Sequence, residues 1–404
     1  MNKIGEIKDK NILFIQGPIG FFFKGLDLHF RKKGAKTFKI TLNAADWLFS
    51  NRDNTYPFKG KINEWNQFIE TIIKEKKIDK IFLFGDCRFY QSRAIAISVK
   101  LDIDIFVFEE GYVRPDFVTM ERHGVNNFSK ISRDPQFYND LDDTYLREVT
   151  TLPAHPRYSR MAFAAIFYYI VSHLFSFRYP HYIHHREINA VKEFFCSCRN
   201  LFRKIKYQIT EYGLLSKLTE VNAKKYYFVI LQTYNDFQLI EHSRFDSIEQ
   251  YITEVVESFA KHAPKDTLLV IKHHPVDRGR KNYKGLISKI SKQLGVGERV
   301  ITIYDLHLPT CLKNAIGTVT INSTVGLSSL FHKTPTITLG RAIYDMKGLT
   351  SYGITLDDFW DNYTIPNDKL FHTFRNYLIQ STQLNGSFYG RFPVELQKDE
   401  MYAS

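Results

Sequence analysis

Cysteine is scarce: the chain carries four in 404 residues, Cys87, Cys196, Cys198 and Cys311. That is too few for a disulfide scaffold at this length, and the spacing fits no zinc quartet, so a reducing compartment is expected. An apolar signal core is missing at the N-terminus, where charges continue to Lys10 and a strand follows. The longest apolar run, Met161 to Phe177, is interrupted by His173 and two serines and is short for a membrane span. Zinc-finger, RRM and basic-heptad patterns are absent, as are GxGxxG, the Walker lysine loop, HExxH and GxSxG. There is no short-period repeat and no low-complexity linker. These absences point to a cytoplasmic protein without a metal site or a nucleophile elbow, and they rank nucleic acid last among partners.

What is present is a globular composition, 44% hydrophobic and 15% aromatic, with a net charge of +12. A basic chain seeks a polyanion, here an anionic membrane or an acidic substrate. The length suits two or three domains. Asn11–Gln16, Lys36–Leu42, Lys80–Gly85 and Asp102–Glu109 are short continuous apolar runs, separated by helical patterns at Phe21–Lys33, Trp65–Lys74 and Ser92–Lys100. Such alternation predicts a parallel sheet covered on both faces. A helical, aromatic, basic segment follows over 139–225. Strands then resume at Tyr226–Gln232, Thr267–His273, Arg299–Tyr304, Ala315–Ile321 and Pro335–Leu339, with helices at Ser247–His262 and Val325–His332. The expected architecture is α/β, with two Rossmann-like domains facing a cleft: 1–138 for the acceptor and 226–345 for a nucleotide sugar. The helical bridge 139–225 offers a membrane face, and a helical tail, 346–404, packs back on the first domain.

Every motif sits at the carboxyl end of a strand, where open α/β sheets bind ligands. Gln16-Gly17-Pro18 is either a tight turn or a backbone approach for an anion. Asp86 and Arg88 end the 80–85 strand, as a helix cap with a surface cation or as acceptor contacts. Glu109 and Glu110 end a central strand; adjacent carboxylates that raise each other's pKa suit proton transfer, and the plain alternative is two solvated charges. Arg114 and Glu121 lie in the polar, weakly periodic stretch that follows, which reads as a site loop. Gln232, Asp236 and Gln238 close the first strand of the second domain, Asp236 as a nucleophile or a turn residue. Lys272-His273-His274-Pro275 ends the next, with donors for a phosphate or carboxylate. Ser323 and Thr324 open a helix, as caps or phosphate ligands. Between His155 and Lys206, Arg157, Arg160, Arg178, Arg186, Arg199, Arg203 and Lys204 flank the apolar run. That pattern is either a buried helix with a basic outer face or a helix lying in lipid headgroups.

The stretches ILFIQGPIGFFFKGL, NAADWLF (Asn43–Phe49), FGDCR (Phe84–Arg88), VFEEGYVRPDFVTMERHGVN (Val107–Asn126), Gln232–Gln238, HHP and STVG resemble the capsule polysaccharide biosynthesis family of KpsS/LipB type, from about residue 11 to 345. The resemblance implies a retaining β-Kdo transferase using CMP-Kdo. The acceptor would be a phosphatidylglycerol-type anionic phospholipid at the inner face of the cytoplasmic membrane, with other capsule assembly proteins as possible partners and no cofactor. By the resemblance Asp236 matches an acidic residue taken as catalytic in the family; the mechanism expected here has Asp236 as the nucleophile and Glu110 (or Glu109) as the base toward the acceptor. The resemblance places a histidine where this chain has Gln91. Two rivals stay open: a transferase for another CMP-activated acidic sugar, and a non-catalytic scaffold of the assembly complex.

Overall fold

The computed structural model describes residues 3–184, 190–234 and 243–396. The chain forms two compact units. One comprises Met1–Lys130, Glu148–Ala190 and Tyr377–Ser404; the other comprises Ile131–Arg147 and Val191–Asn376. The 139–225 segment is therefore shared between the units, and the tail is divided at residue 377.

The first unit holds a seven-stranded sheet in the order β12-β6-β5-β4-β1-β2-β3. Its strands are β1 (Asn11–Ile15), β2 (Lys36–Thr41), β3 (Thr55–Pro57), β4 (Lys80–Phe84), β5 (Asp104–Glu110), β6 (Phe117–Arg122) and β12 (Gln383–Asn385). The five strands from β5 to β3 run parallel, while β6 and β12 each pair antiparallel. Successive side chains of a strand point to opposite faces. Leu13, Ile15, Ile81, Leu83, Ile105 and Val107 thus pack on Trp65, Ile69 and Ile73. Ile12, Phe14, Phe82, Phe106 and Phe108 pack on Phe22, Phe23, Leu26 and Phe30 from the opposite side. Unbroken apolar runs through the middle of β1 (Ile12–Ile15), β4 (Ile81–Phe84) and β5 (Ile105–Phe108) are what a doubly covered sheet requires.

The second unit holds a five-stranded parallel sheet in the order β11-β10-β7-β8-β9. These are β7 (Tyr226–Ile230), β8 (Leu268–Lys272), β9 (Val300–Ile303), β10 (Gly317–Thr320) and β11 (Thr336–Thr338). Tyr227, Val229, Leu269, Ile271 and Val319 face the helix Ile248–His262 in one cluster. Tyr226, Phe228, Ile230, Val270 and Ile303 form the other. Both units are α/β with helices on the two faces of a mostly parallel sheet, and the expected fold class stands.

β6 differs from the reading of 114–127 as a loop. Its alternation was masked because the residues facing away from Val118 and Met120 are Thr119 and Glu121, which are buried and polar. Both are satisfied inside: Thr119 donates to the Glu110 carbonyl at 3.0 Å, and Glu121 accepts from the Tyr112 hydroxyl at 2.6 Å and from Ser129.

Candidate functional site

In the first unit strand order reverses at β1, which lies between β2 and β4, and the crevice at such a switch point is the expected ligand position. A polar cavity of about 150 Å³ sits there, lined by Gln16, Gly17, Phe84, Arg88, Tyr168 and Tyr389 among others. Gly17 is set by packing, since a β-carbon would fall 2.6 Å from the Phe23 ring. Gln16 is buried and fully engaged. Its amide nitrogen reaches Tyr168 Oη at 3.2 Å and Tyr182 Oη at 3.1 Å, and its oxygen accepts from Gln91 at 3.1 Å. Tyr168 donates to Asp46 Oδ1 at 3.1 Å and accepts from the Asn43 amide at 2.6 Å. Burial raises the Asp46 carboxyl against the pull of buried Lys39, two backbone amides and Tyr168. Sequence reasoning passed over Asp46, Tyr168, Tyr182 and Tyr389. Asp46 had a usable signal, a carboxylate just past a strand end in NAADWLF. The tyrosines lie in stretches that read as a membrane helix or a tail.

Glu109 and Glu110 close β5, where strand alternation aims them at opposite faces. Glu109 pairs across with Thr119, and Glu110 with Val118. Repulsion between them is therefore a minor influence. Glu109 is pushed up to about 7 chiefly by burial, opposed by its bond from the Glu110 amide (3.1 Å) and by Arg88, with Glu110 a lesser influence. Arg88 and Glu109 converge over Gly85: a β-carbon there would lie 3.6 Å from Arg88 Nε and 3.7 Å from Glu109 Oε2. Glu110 reaches solvent yet is crowded enough that burial raises it too, with Arg114 pulling it back. Arg114 donates to the Gly111 carbonyl at 3.1 Å. Asp86 is buried and accepts from the Val125 amide at 2.8 Å. Glu121 is pushed up to about 7 by burial, against its bonds from Ser129 and Tyr112. Asp86 and Glu121 thus pin the segment after β5.

In the second unit order reverses at β7, between β10 and β8. Gln232 spans this point, donating to Asn322 Oδ1 at 3.0 Å and accepting from the Asn322 amide at 3.4 Å. Asp277, fully buried, accepts from the Tyr234 amide at 2.8 Å. Asp236 and Gln238 lie outside the described residues. Lys272 is buried, and its ammonium donates to the Tyr304 carbonyl at 2.7 Å and that of Leu306 at 3.3 Å. His273 is stacked between Tyr283 and Tyr304, with burial lowering it to about 4, so it is neutral at pH 7. His274 is half-buried, and its Nδ1 accepts from the Val276 amide at 3.2 Å ahead of exposed Pro275. Arg199 and Arg203 donate to the carbonyls of Gly279 and Arg278, at 2.5 and 2.7 Å, so these two cations hold the HHP loop.

Ser323 accepts from the Val325 amide at 3.2 Å, and Thr324 makes no capping bond. Gly326 is sterically required, because a β-carbon would fall 2.1 Å from Tyr344 Oη, which itself donates to the Ser323 carbonyl at 2.5 Å. Gly326→Ala should cost about 1–3 kcal/mol through overpacking. The denaturation midpoint checks this, and an unshifted midpoint would mean that Tyr344 yields freely. Among the described residues no group of three or more His, Cys, Asp or Glu side chains is placed to hold a metal ion, and no helix is long and apolar enough to cross a membrane.

Residues 79–389 match the family described as capsule polysaccharide biosynthesis protein. The chain is 36% identical over 383 residues to the capsule polysaccharide export protein KpsS of Escherichia coli, covering 95% of this chain and 98% of that protein. It is 36% identical over 397 residues to the capsule polysaccharide modification protein LipB of Neisseria meningitidis serogroup A, covering 96% and 94%. Among solved structures it is similar to the beta Kdo 2,7 transferase of Thermosulfurimonas dismutans KpsC, at 13% identity and a TM-score of 0.44 over 98% of this chain and 99% of that one. With a family match over most of its length and two relatives above 30% identity across nearly all of it, the chain belongs to the capsule polysaccharide biosynthesis protein family.

Proposed function

We propose that this protein is a glycosyltransferase that moves Kdo from CMP-Kdo to an anionic, phosphatidylglycerol-type lipid with retention, starting the linker on which a capsule chain is built. The observation that carries the reading is Glu109. It is a carboxyl held near 7 beside Arg88, at the strand ends bordering a polar cavity, in a chain of this family. A general base is most effective with a pKa near the working pH. Between Glu109 and Glu110, we take Glu109 as the base because it converges over Gly85 with Arg88, which lines the polar cavity.

The donor is assigned to the second unit. Asp236 attacks the anomeric carbon as the bond to the CMP phosphate breaks, and His274, Ser323 and Thr324 stabilise the departing phosphate. The acceptor hydroxyl, deprotonated by Glu109, then displaces Asp236. Two inversions give retention. Gln232, Lys272, His273 and Pro275 shape the donor loops, and Gln16, Gly17, Asp86, Arg114 and Glu121 shape the acceptor side.

The helix Tyr158–Leu174 supports a position at the inner membrane surface. It exposes Phe163, Ile166, Ile170 and Leu174, and Arg157, Arg160 and Arg178 lie near its ends. Apolar area with flanking cations is what an anionic headgroup layer selects.

The direct test is purified protein with CMP-Kdo and a fluorescent phosphatidylglycerol analogue, read by mass. A product heavier by one Kdo is expected. Turnover with CMP-sialic acid instead would reassign the donor, and no turnover on any nucleotide sugar would favour a scaffold. His274→Ala should weaken CMP binding about ten- to a hundred-fold, the worth of one charge-assisted contact. Unchanged CMP affinity would remove His274 from the donor site.

A further inference from the structure

Next to the polar cavity lies a second concavity of about 630 Å³, well within the roughly 300–1,000 Å³ of ordinary ligand sites. Its wall is mostly phenylalanine: Phe22, Phe49, Phe163, Phe167, Phe388 and Phe392. These rings come from four separated stretches and brace one another. Phe22 meets Phe388 edge-on at 4.9 Å and Phe392 at 5.3 Å, and Phe49 meets Phe167 at 6.3 Å. The groove stays open because the residues between the rings are small. Gly20 and Ala164 face each other, a β-carbon on Gly20 lying 3.9 Å from that of Ala164. Gly390 admits no side chain, because a β-carbon would lie 2.2 Å from the Ala154 carbonyl oxygen.

The polar cavity and the apolar groove are two sections of one trough. Gln16, Gly17 and Ile19 line the first, and Gly20, Phe21 and Phe22 continue into the second. Tyr168 and Tyr169 line the first, and Ala164 and Phe167, earlier on the same helix, line the second. Tyr389 borders both. Arg160 also lines the groove; its side chain is exposed. Together with Arg88 in the polar section, it gives the trough a cationic character suited to an anionic headgroup. The proportions match one kind of occupant, a hydrocarbon chain carrying an anionic head.

We propose that this groove binds one hydrocarbon chain of the anionic lipid acceptor, drawing it out of the bilayer so that the headgroup lies in the polar section beside Arg88. The inference rests on the reading that the acceptor is an anionic lipid. The groove makes the enzyme a reader of chain length as well as of headgroup.

The test is binding of single-chain alkyl glycerophosphates of increasing length, each below its micelle concentration, to the full-length protein. Displacement of an environment-sensitive fluorescent chain gives the readout. Affinity should rise about fourfold per added methylene until the groove is filled, then level off. Ala164→Trp should block the groove and abolish the length dependence, whereas Ala162→Phe, on the exposed side of the same helix, should not. Arg88→Gln, which removes the cation of the polar section, should weaken the phosphates about tenfold and leave alkyl glycerols unchanged. Affinity independent of chain length, or a length dependence untouched by Ala164→Trp, overturns the proposal. The two readings fail separately. Chain-length-dependent binding without any sugar transfer would sink the transferase and keep the groove. Transfer to a short soluble acceptor with the same kcat/KM as to long chains would do the reverse.

Discussion

Glu109→Gln should lower transfer about 10²–10⁴-fold and at the same time make the protein more stable above neutral pH. Both effects follow from a carboxyl raised from 4.5 to about 7, chiefly by burial. Below about pH 4.5 the group is protonated whether the chain is folded or not, and burial costs nothing through this residue. As pH rises the unfolded chain ionises first, so the folded state loses stability across the window from 4.5 to about 7, and the full penalty persists above it. Glutamine carries no charge and removes that penalty. Each pKa unit corresponds to about 1.4 kcal/mol. The side chain still meets solvent, so after screening the gain near pH 8 should be about 1–2 kcal/mol, and it should vanish near pH 4. The rate moves the other way. A base must be ionised, so wild-type transfer should climb through pH 7, and the residual activity of the variant should be flat there. Melting and initial rates at several pH values check both arms. More than a tenth of the rate with an unaltered pH profile would exclude Glu109 as base. In that case Glu110→Gln is the variant that should carry the loss.

Much of this was legible in the sequence because the sheets are buried on both sides. After Asn11 and Lys80 at their first positions, NILFI and KIFLF run apolar without a break, as does YYFVI throughout, and each is a strand within a residue or two of where the pattern put it. The strand ends followed from the same runs, so Gln16, Arg88, Glu109 and Gln232 were found where the chain leaves the sheet. The rest was hidden by long-range pairing. β6 looks polar until Thr119 meets Gln383, 264 residues away, at 3.0 Å. Adjacent carboxylates suggested mutual repulsion, but a strand sends neighbours to opposite faces, so desolvation dominates instead. Lys272 looked like a phosphate ligand, yet its ammonium is engaged by two carbonyls of the chain after β9. The lipid-like trough was illegible for the same reason. Its walls come from the glycine loop after β1, Phe49 beyond β2, a helix about 140 residues after that loop and the C-terminal stretch, and no local pattern links them.

Asp236→Asn should abolish transfer, at least about a thousandfold, while CMP still binds with near wild-type affinity. Gln232 is locked to Asn322, and the Tyr234 amide is held by buried Asp277, so the chain up to residue 234 is anchored at the switch point of the second sheet. Retention at the anomeric carbon requires two inversions, and the first needs a carboxylate nucleophile. Asparagine is nearly isosteric, but its amide is a poor nucleophile, so geometry and donor recognition should survive while the covalent step does not. Initial rates by mass and CMP affinity by calorimetric titration separate the two. If a tenth of the rate remains, Asp236 is not the nucleophile. If CMP affinity falls with the rate, its work is in holding the donor. A sharper arm uses Asp236→Ala with azide. A small anion entering the vacated space should displace CMP in one inversion and release a Kdo azide of inverted configuration. Formation of that product would place the missing carboxylate on the reaction path, and an azide of retained configuration would rule out the double displacement.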